Sequence, residues 1–193
     1  MRVSREQFDR AIASARSESE RILYLGALLG RAIEADPIIT GGSAIYLQSP
    51  ELVPSLDVDV SVVPRAPAAD AIEAWGFERR KGRVWRRDDL GIDVDLVGEF
   101  RGSRRRAKIV VTPYGTIRVA CVEDLIAKRL AELKHWQTGT TWRNQIVEQV
   151  TVLLADYGPE IDWIYLGSIA QRDDVVDILA DFRRGVESDP RGP

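Results

Sequence analysis

The stretch Leu56-Asp57-Val58-Asp59-Val60-Ser61-Val62-Val63 alternates strictly between apolar and polar side chains. Side chains in an extended strand point to opposite faces with a period of two. Asp57, Asp59 and Ser61 therefore face one way, and Val58, Val60 and Val62 the other. A strand of this kind needs a core on its valine side. It also crowds two carboxylates on the opposite side, and these repel unless a cation lies between them. A folded chain that keeps this pair has a reason to hold positive charge there. A divalent ion, magnesium or manganese, is the natural candidate.

A second strand candidate, Ile92 to Val97, repeats the pattern with Asp93 and Asp95 on one face. Either acid could join the first pair, and three acids on adjacent strands form the cage that phosphoryl transfer with metal ions requires. Upstream, the β-prone Ile38-Ile39-Thr40 leads into Gly41-Gly42-Ser43, and a helix begins from Ala44 to Gln48. Glycines at a strand-to-helix turn let backbone N–H groups approach a phosphate, and the helix start adds its positive end. The Ser43 hydroxyl adds a donor. The order turn, paired acids, third acid points to an enzyme that handles a nucleoside triphosphate.

The rest of the chain supplies context. A helical pattern runs from about Arg5 to Ala35 and stops at Asp36-Pro37. Pro50 and Pro54 bracket a loop, and residues Pro67 to Trp75 read as a short helix. Short strands are expected around Phe77, at Val84 to Arg87 and at Thr116 to Ala120, with turns at Gly82 and Asp88-Asp89. After residue 120 only helical patterns remain: Val122 to Trp136, Trp142 to Ala155, Ile161 to Ala170 and Asp173 to Arg184. The expected architecture is α/β (α+β): a mixed-sheet catalytic core with N-terminal helices over residues 1–120, and a C-terminal helical bundle over 121–185. A flexible tail follows over 186–193.

At Val122-Glu123-Asp124-Leu125-Ile126-Ala127-Lys128-Arg129-Leu130 the chain resembles the "EDLI-x-x-KL" helix of AbiEii-type bacterial nucleotidyltransferases. Arg143-x-Gln145-x-x-Glu148 and Ile161-Asp162-Trp163-Ile164-Tyr165-Leu166 resemble that family's "RQ-x-x-D" and "LD-x-x-YL" segments. The glycine turn and Asp57-x-Asp59 look like those of the wider polymerase-β-type nucleotidyltransferase superfamily. The resemblance covers roughly residues 35 to 183. It implies that Gly41, Gly42 and Ser43 form the nucleotide-binding turn and that Asp57 and Asp59 bind metal. It favours Asp95 over Asp93 as the third ligand and as the group that draws the proton from the attacking hydroxyl. Lys128 would reach a phosphate. Glu148, where the family has Asp, would contact the nucleotide. The family includes toxins of toxin–antitoxin systems, some of which add nucleotides to tRNA ends, so RNA and a cognate antitoxin become expected partners.

Net charge is -3, which gives no overall bias toward nucleic acid. The cations are nevertheless concentrated between residues 79 and 108: Arg79, Arg80, Lys81, Arg83, Arg86, Arg87, Arg101, Arg104, Arg105, Arg106 and Lys108. This stretch is either a solvated hairpin or a patch for RNA phosphates beside the acids. Trp85 within it reads as a half-buried strand residue, with base stacking as the alternative. Trp142, Trp163, Tyr165 and Leu166 read as core or helix-packing residues. A single cysteine, Cys121, excludes an intramolecular disulfide, and it reads as a small buried hydrophobe. With no apolar leader and no long apolar run, a cytoplasmic protein without a membrane partner is expected. Transfer to a small molecule or a protein hydroxyl, or an inactive nucleotide-binding member of the fold, are the competing readings.

Overall fold

The structure is a computed structural model that describes residues 3–52 and 57–187. Leu56, Pro54 and the tail beyond residue 187 lie outside the described residues. Among the described residues contacts define two compact units. One lies within Met1–Leu47 and Val53–Ala120, the other within Gln48–Leu52 and Cys121–Pro193.

The first unit opens with two helices, α1 (Arg5–Ser14) and α2 (Glu18–Ile33), where the sequence pattern had suggested one. The break has a local cause. Ser17 accepts a hydrogen bond from the Glu20 N–H at 3.2 Å and caps α2, the Ser-x-x-Glu arrangement that starts helices. Ser4 and Gln7 form a reciprocal capping box at the start of α1. α2 ends with Glu34 in the left-handed region at φ 52°.

Strands β1 (Ile38–Ile39), β2 (Asp57–Ser61), β3 (Glu78–Arg79), β4 (Val84–Arg87), β5 (Ile92–Val97), β6 (Lys108–Thr112) and β7 (Gly115–Val119) form one mixed sheet among the described residues. Its order is β3-β4-β5-β2-β1-β7-β6. β2 runs antiparallel to β1 and parallel to β5, so it sits in the middle of the sheet. Helix α3 (Gly41–Gln48) follows β1, and α4 (Arg65–Ala74) follows β2. The valine face predicted for β2 is the core face. Val58 and Val60 are buried together with Val94 and Leu96 of β5, each such side chain contributing about 1.5–3 kcal/mol. α2 closes on the far half of the sheet, where Gly26 approaches Ile117 and Ile39 so closely that a Cβ would lie 3.0 Å from Ile117. Phe8 stacks on Trp75 at 4.5 Å, and the Trp75 indole N–H donates to the Val3 carbonyl at 3.0 Å.

β6 was not anticipated. It pairs antiparallel with β7 through a tight turn at Pro113-Tyr114 and forms an edge of the sheet. The second unit contains α5 (Val122–Leu133), α6 (Thr141–Tyr157), α7 (Trp163–Arg172) and α8 (Val176–Glu187). Leu125, Ile126, Leu130, Ile146, Val150, Leu153, Leu166 and Ile169 form its core. Leu166 is buried in this core and Trp163 and Tyr165 are half-buried, while Trp142, 39% exposed, packs on the surface against the Trp136 ring and the Arg129 guanidinium. No helix among the described residues is long and apolar enough to cross a membrane.

Candidate metal and nucleotide site

The parallel register of β2 and β5 places Asp57 opposite Asp93 and Asp59 opposite Asp95. All four acids thus share the face away from the core. Asp57, Asp59 and Asp95 each offer a carboxylate oxygen, and these oxygens lie within 4.8 Å of one another. Asp95 is the most enclosed of the three, at 6% exposed.

β4 gives Asp93 and Asp95 different surroundings. Antiparallel pairing sets Arg86 directly opposite Asp93. Its Nη1 lies 2.9 Å from Asp93 Oδ2, and its Nε donates to Asp88. Asp93 is therefore held by a cross-strand guanidinium, and Asp95 completes the acid cluster. Asp95 has a cation of its own. Arg83 Nε stands 2.7 Å from Oδ1, while its hydrogen bond, at 3.0 Å, goes to Oδ2. The closer oxygen lies off the N–H direction, so the aligned contact is the bond and the shorter one is ion pairing.

The glycine turn packs against the same acids. Gly41 has φ +60°, and a Cβ there would lie 2.1 Å from Asp59 Oδ2. Its lack of a side chain makes room for the Asp59 carboxylate, a need additional to the phosphate approach read in the sequence. The Gly42 N–H donates to the same oxygen at 2.9 Å. The Ser43 hydroxyl, expected to face a phosphate, is buried and engaged with β2. It donates to the Asp57 carbonyl at 2.7 Å and accepts from the Asp59 N–H at 3.0 Å. Ser43 thus clamps the backbone on either side of Val58 and fixes the spacing of the two acids.

Three carboxylates at this separation are hard oxygen donors on rigid strands, which fits magnesium or manganese better than a softer ion. Without a cation their mutual repulsion costs free energy, and the ion pair to Arg83 offsets part of it.

The basic stretch is mostly spoken for. The Arg79 guanidinium donates to the Gly82 carbonyl and lies 5.4 Å from the Trp85 ring. Arg80 pairs with Asp88 at 2.6 Å. Arg104 pairs with Asp36. Arg87, 4% exposed, points to the core side of β4, where it binds Asp9, Asp89 and the Trp75 carbonyl. Trp85 is buried, with its N–H on Glu73 at 2.9 Å, and is not placed to stack on a base. Lys81, Arg105 and Lys108 are exposed.

In the second unit the residues of the helical motifs fasten the helices to one another. Glu123 accepts from the Asp162 N–H at 3.0 Å, and Asp124 accepts from the Tyr165 hydroxyl at 2.8 Å. The Arg143 guanidinium donates to the Leu133 carbonyl at the end of α5 at 2.8 Å. Lys128 is half-buried on α5 and Glu148 is exposed on α6. Cys121 is half-buried rather than fully buried. Burial, then the neighbouring Asp124, pushes its thiol well above the usual range, so it is no candidate nucleophile.

No protein-family model and no curated protein matches the chain. Among solved structures, it is similar to the crystal structure of an antigenic nucleotidyltransferase-like protein from Paracoccidioides brasiliensis. The two are 13% identical, the match covers 88% of this chain and 94% of that one, and the TM-score is 0.55. The likeness shows a nucleotidyltransferase-like fold.

Proposed function

We propose that this chain is a metal-dependent nucleotidyltransferase that transfers a nucleoside monophosphate from an NTP to a hydroxyl acceptor. The observation that carries the reading is the meeting of Asp57, Asp59 and Asp95 within 4.8 Å, beside a turn whose Gly42 N–H holds one of them. Bound magnesium or manganese would supply charge neutralisation of the polyphosphate and a template for its orientation. Asp57 and Asp59 would hold it. Asp95, enclosed and on the neighbouring strand, would share that task and accept the proton of the attacking hydroxyl. The Ser43 hydroxyl and the Gly42 N–H are engaged with β2, so the Gly41-Gly42-Ser43 turn would meet the nucleotide through its other backbone groups. Lys128 as a phosphate contact and Glu148 as a nucleotide contact come from the likeness to AbiEii-type enzymes.

The AbiEii-type motifs support a toxin of a toxin–antitoxin pair, with RNA, a tRNA end in particular, as acceptor. In this reading Arg105 and Lys108 are the cations that would meet RNA phosphates. The internal ion pairs of Arg80, Arg86, Arg87 and Arg104 favour a second reading, transfer to a small molecule or a protein hydroxyl.

Incubation with labelled NTPs, magnesium and total RNA is the test. Labelled RNA that disappears with Asp57→Ala and Asp59→Ala is expected; labelling that survives both substitutions sinks the proposal. An Arg105→Glu/Lys108→Glu protein that loses RNA labelling supports the RNA acceptor. Labelling confined to a protein or small molecule supports the second reading. As a toxin, expression of the wild type should slow growth and the Asp57→Ala variant should not.

A further inference from the structure

The three arginines on and beside β4 differ in how firmly they are held. Arg86 is gripped by Asp93 and Asp88. Arg87 is buried among Asp9, Asp89 and the Trp75 carbonyl. Among the described residues the Arg83 guanidinium contacts Asp95, and its side chain is 53% exposed. Its backbone, by contrast, is pinned. The Arg83 carbonyl accepts from the Leu96 N–H at 3.0 Å, which keeps it beside Asp95. The preceding Gly82 has φ +62° and nothing beyond its chain neighbours within 4 Å of where a Cβ would stand, so that side of the turn is open, while the Arg79 guanidinium binds its carbonyl. A fixed backbone with a solvated guanidinium lets the charge turn without moving the strand.

A divalent cation shared by Asp57, Asp59 and Asp95 competes with Arg83 for the same carboxylate, and two positive charges that close repel. The guanidinium fork matches phosphate oxygens as well as it matches a carboxylate. Resting on the nucleotidyltransferase reading above, we infer that Arg83 is a substrate-positioning residue with two partners. It is the counter-ion of Asp95 while the acid cluster holds no cation. It turns to the NTP polyphosphate when a cation takes Asp95.

The two roles predict changes of opposite sign. In Arg83→Gln the competitor is gone, so Mn2+ alone, titrated calorimetrically without nucleotide, binds about two- to fivefold more tightly than to wild type. The same variant loses charge-assisted bonds to phosphate, so KM for the NTP rises about tenfold while kcat changes little. Arg83→Lys, which keeps the charge and loses the fork, lies between wild type and Arg83→Gln in both. A residue that merely supports the hairpin would weaken both affinities together and lower the Tm. Mn2+ affinity that is unchanged or weaker in Arg83→Gln, or a KM that does not move, overturns the inference. If Asp57→Ala and Asp59→Ala abolish Mn2+ binding while Arg83→Gln behaves as wild type, the metal site stands and the role of Arg83 falls. A wild-type protein that binds no Mn2+ removes both.

Discussion

Gly41 and Gly82 adopt nearly the same left-handed conformation, φ 60° and 62°, for different reasons. At Gly82 the surroundings are open, so Gly82→Ala meets only the conformational strain, about 1 kcal/mol. At Gly41 an added Cβ also strikes Asp59 Oδ2. The carboxylate can swing aside, but it then gives up its bond to Gly42 and its place in the cluster. Gly41→Ala should therefore lower Mn2+ affinity at least about tenfold, whereas Gly82→Ala leaves it unchanged; titration of the two proteins distinguishes them. The glycine turn was readable in the sequence; that it also makes room for Asp59 was not, because nothing in the sequence places Asp59 against it. Ser43 misled for the same reason. A serine in a glycine turn suggests a phosphate donor, and only the folded chain puts β2 within reach of its hydroxyl. Asp93 and Asp95 were equivalent by period, and the cross-strand Arg86 that separates them belongs to a pairing register no local pattern specifies.

At the scale of elements, strands with one buried face announced themselves. β2 and β5 carry the alternation that burial on one side demands. β6 lies at the sheet edge with Ile109 and Val111 exposed, Val111 to 80%, so burial imposes no such pattern on its β-branched run. The break between α1 and α2 was written in Ser17 and Glu20 but masked by the continuing apolar spacing. β4 sorts its charges by period: Arg86 faces the acids, and Arg87 faces the core. Arg87→Met should destabilise the protein by about 2–3 kcal/mol, mostly by leaving the Trp75 carbonyl without its buried donor. Asp9 and Asp89 remain partly solvated, which keeps the cost below that of breaking a fully buried pair. Chemical denaturation reads the change, and a loss under 1 kcal/mol would show that Arg87 is not part of the hairpin's support.

For the whole molecule, the net charge of -3 concealed how the charges are distributed. Cations dense in sequence between residues 79 and 108 are largely spent inside the first unit, on Asp9, Asp36, Asp88, Asp93 and Asp95. Long-range contacts also group Gln48–Leu52 with the helical unit. Ser49 donates to Asp156 at 2.7 Å and the Tyr157 hydroxyl donates to the Gln48 carbonyl at 2.8 Å, pairings that a linear reading does not reveal. What the sheet accomplishes is to bring acids from two separate strands into one cluster, and the proposed transfer depends on that cluster holding a divalent ion. A crystal soaked with Mn2+ and a non-hydrolysable NTP tests this directly, through the anomalous signal of manganese. A peak within coordinating distance of Asp57, Asp59 and Asp95 is expected, with the polyphosphate beside the Gly41-Gly42-Ser43 turn. No peak at these three carboxylates at saturating Mn2+, or nucleotide bound elsewhere on the protein, would contradict the proposal.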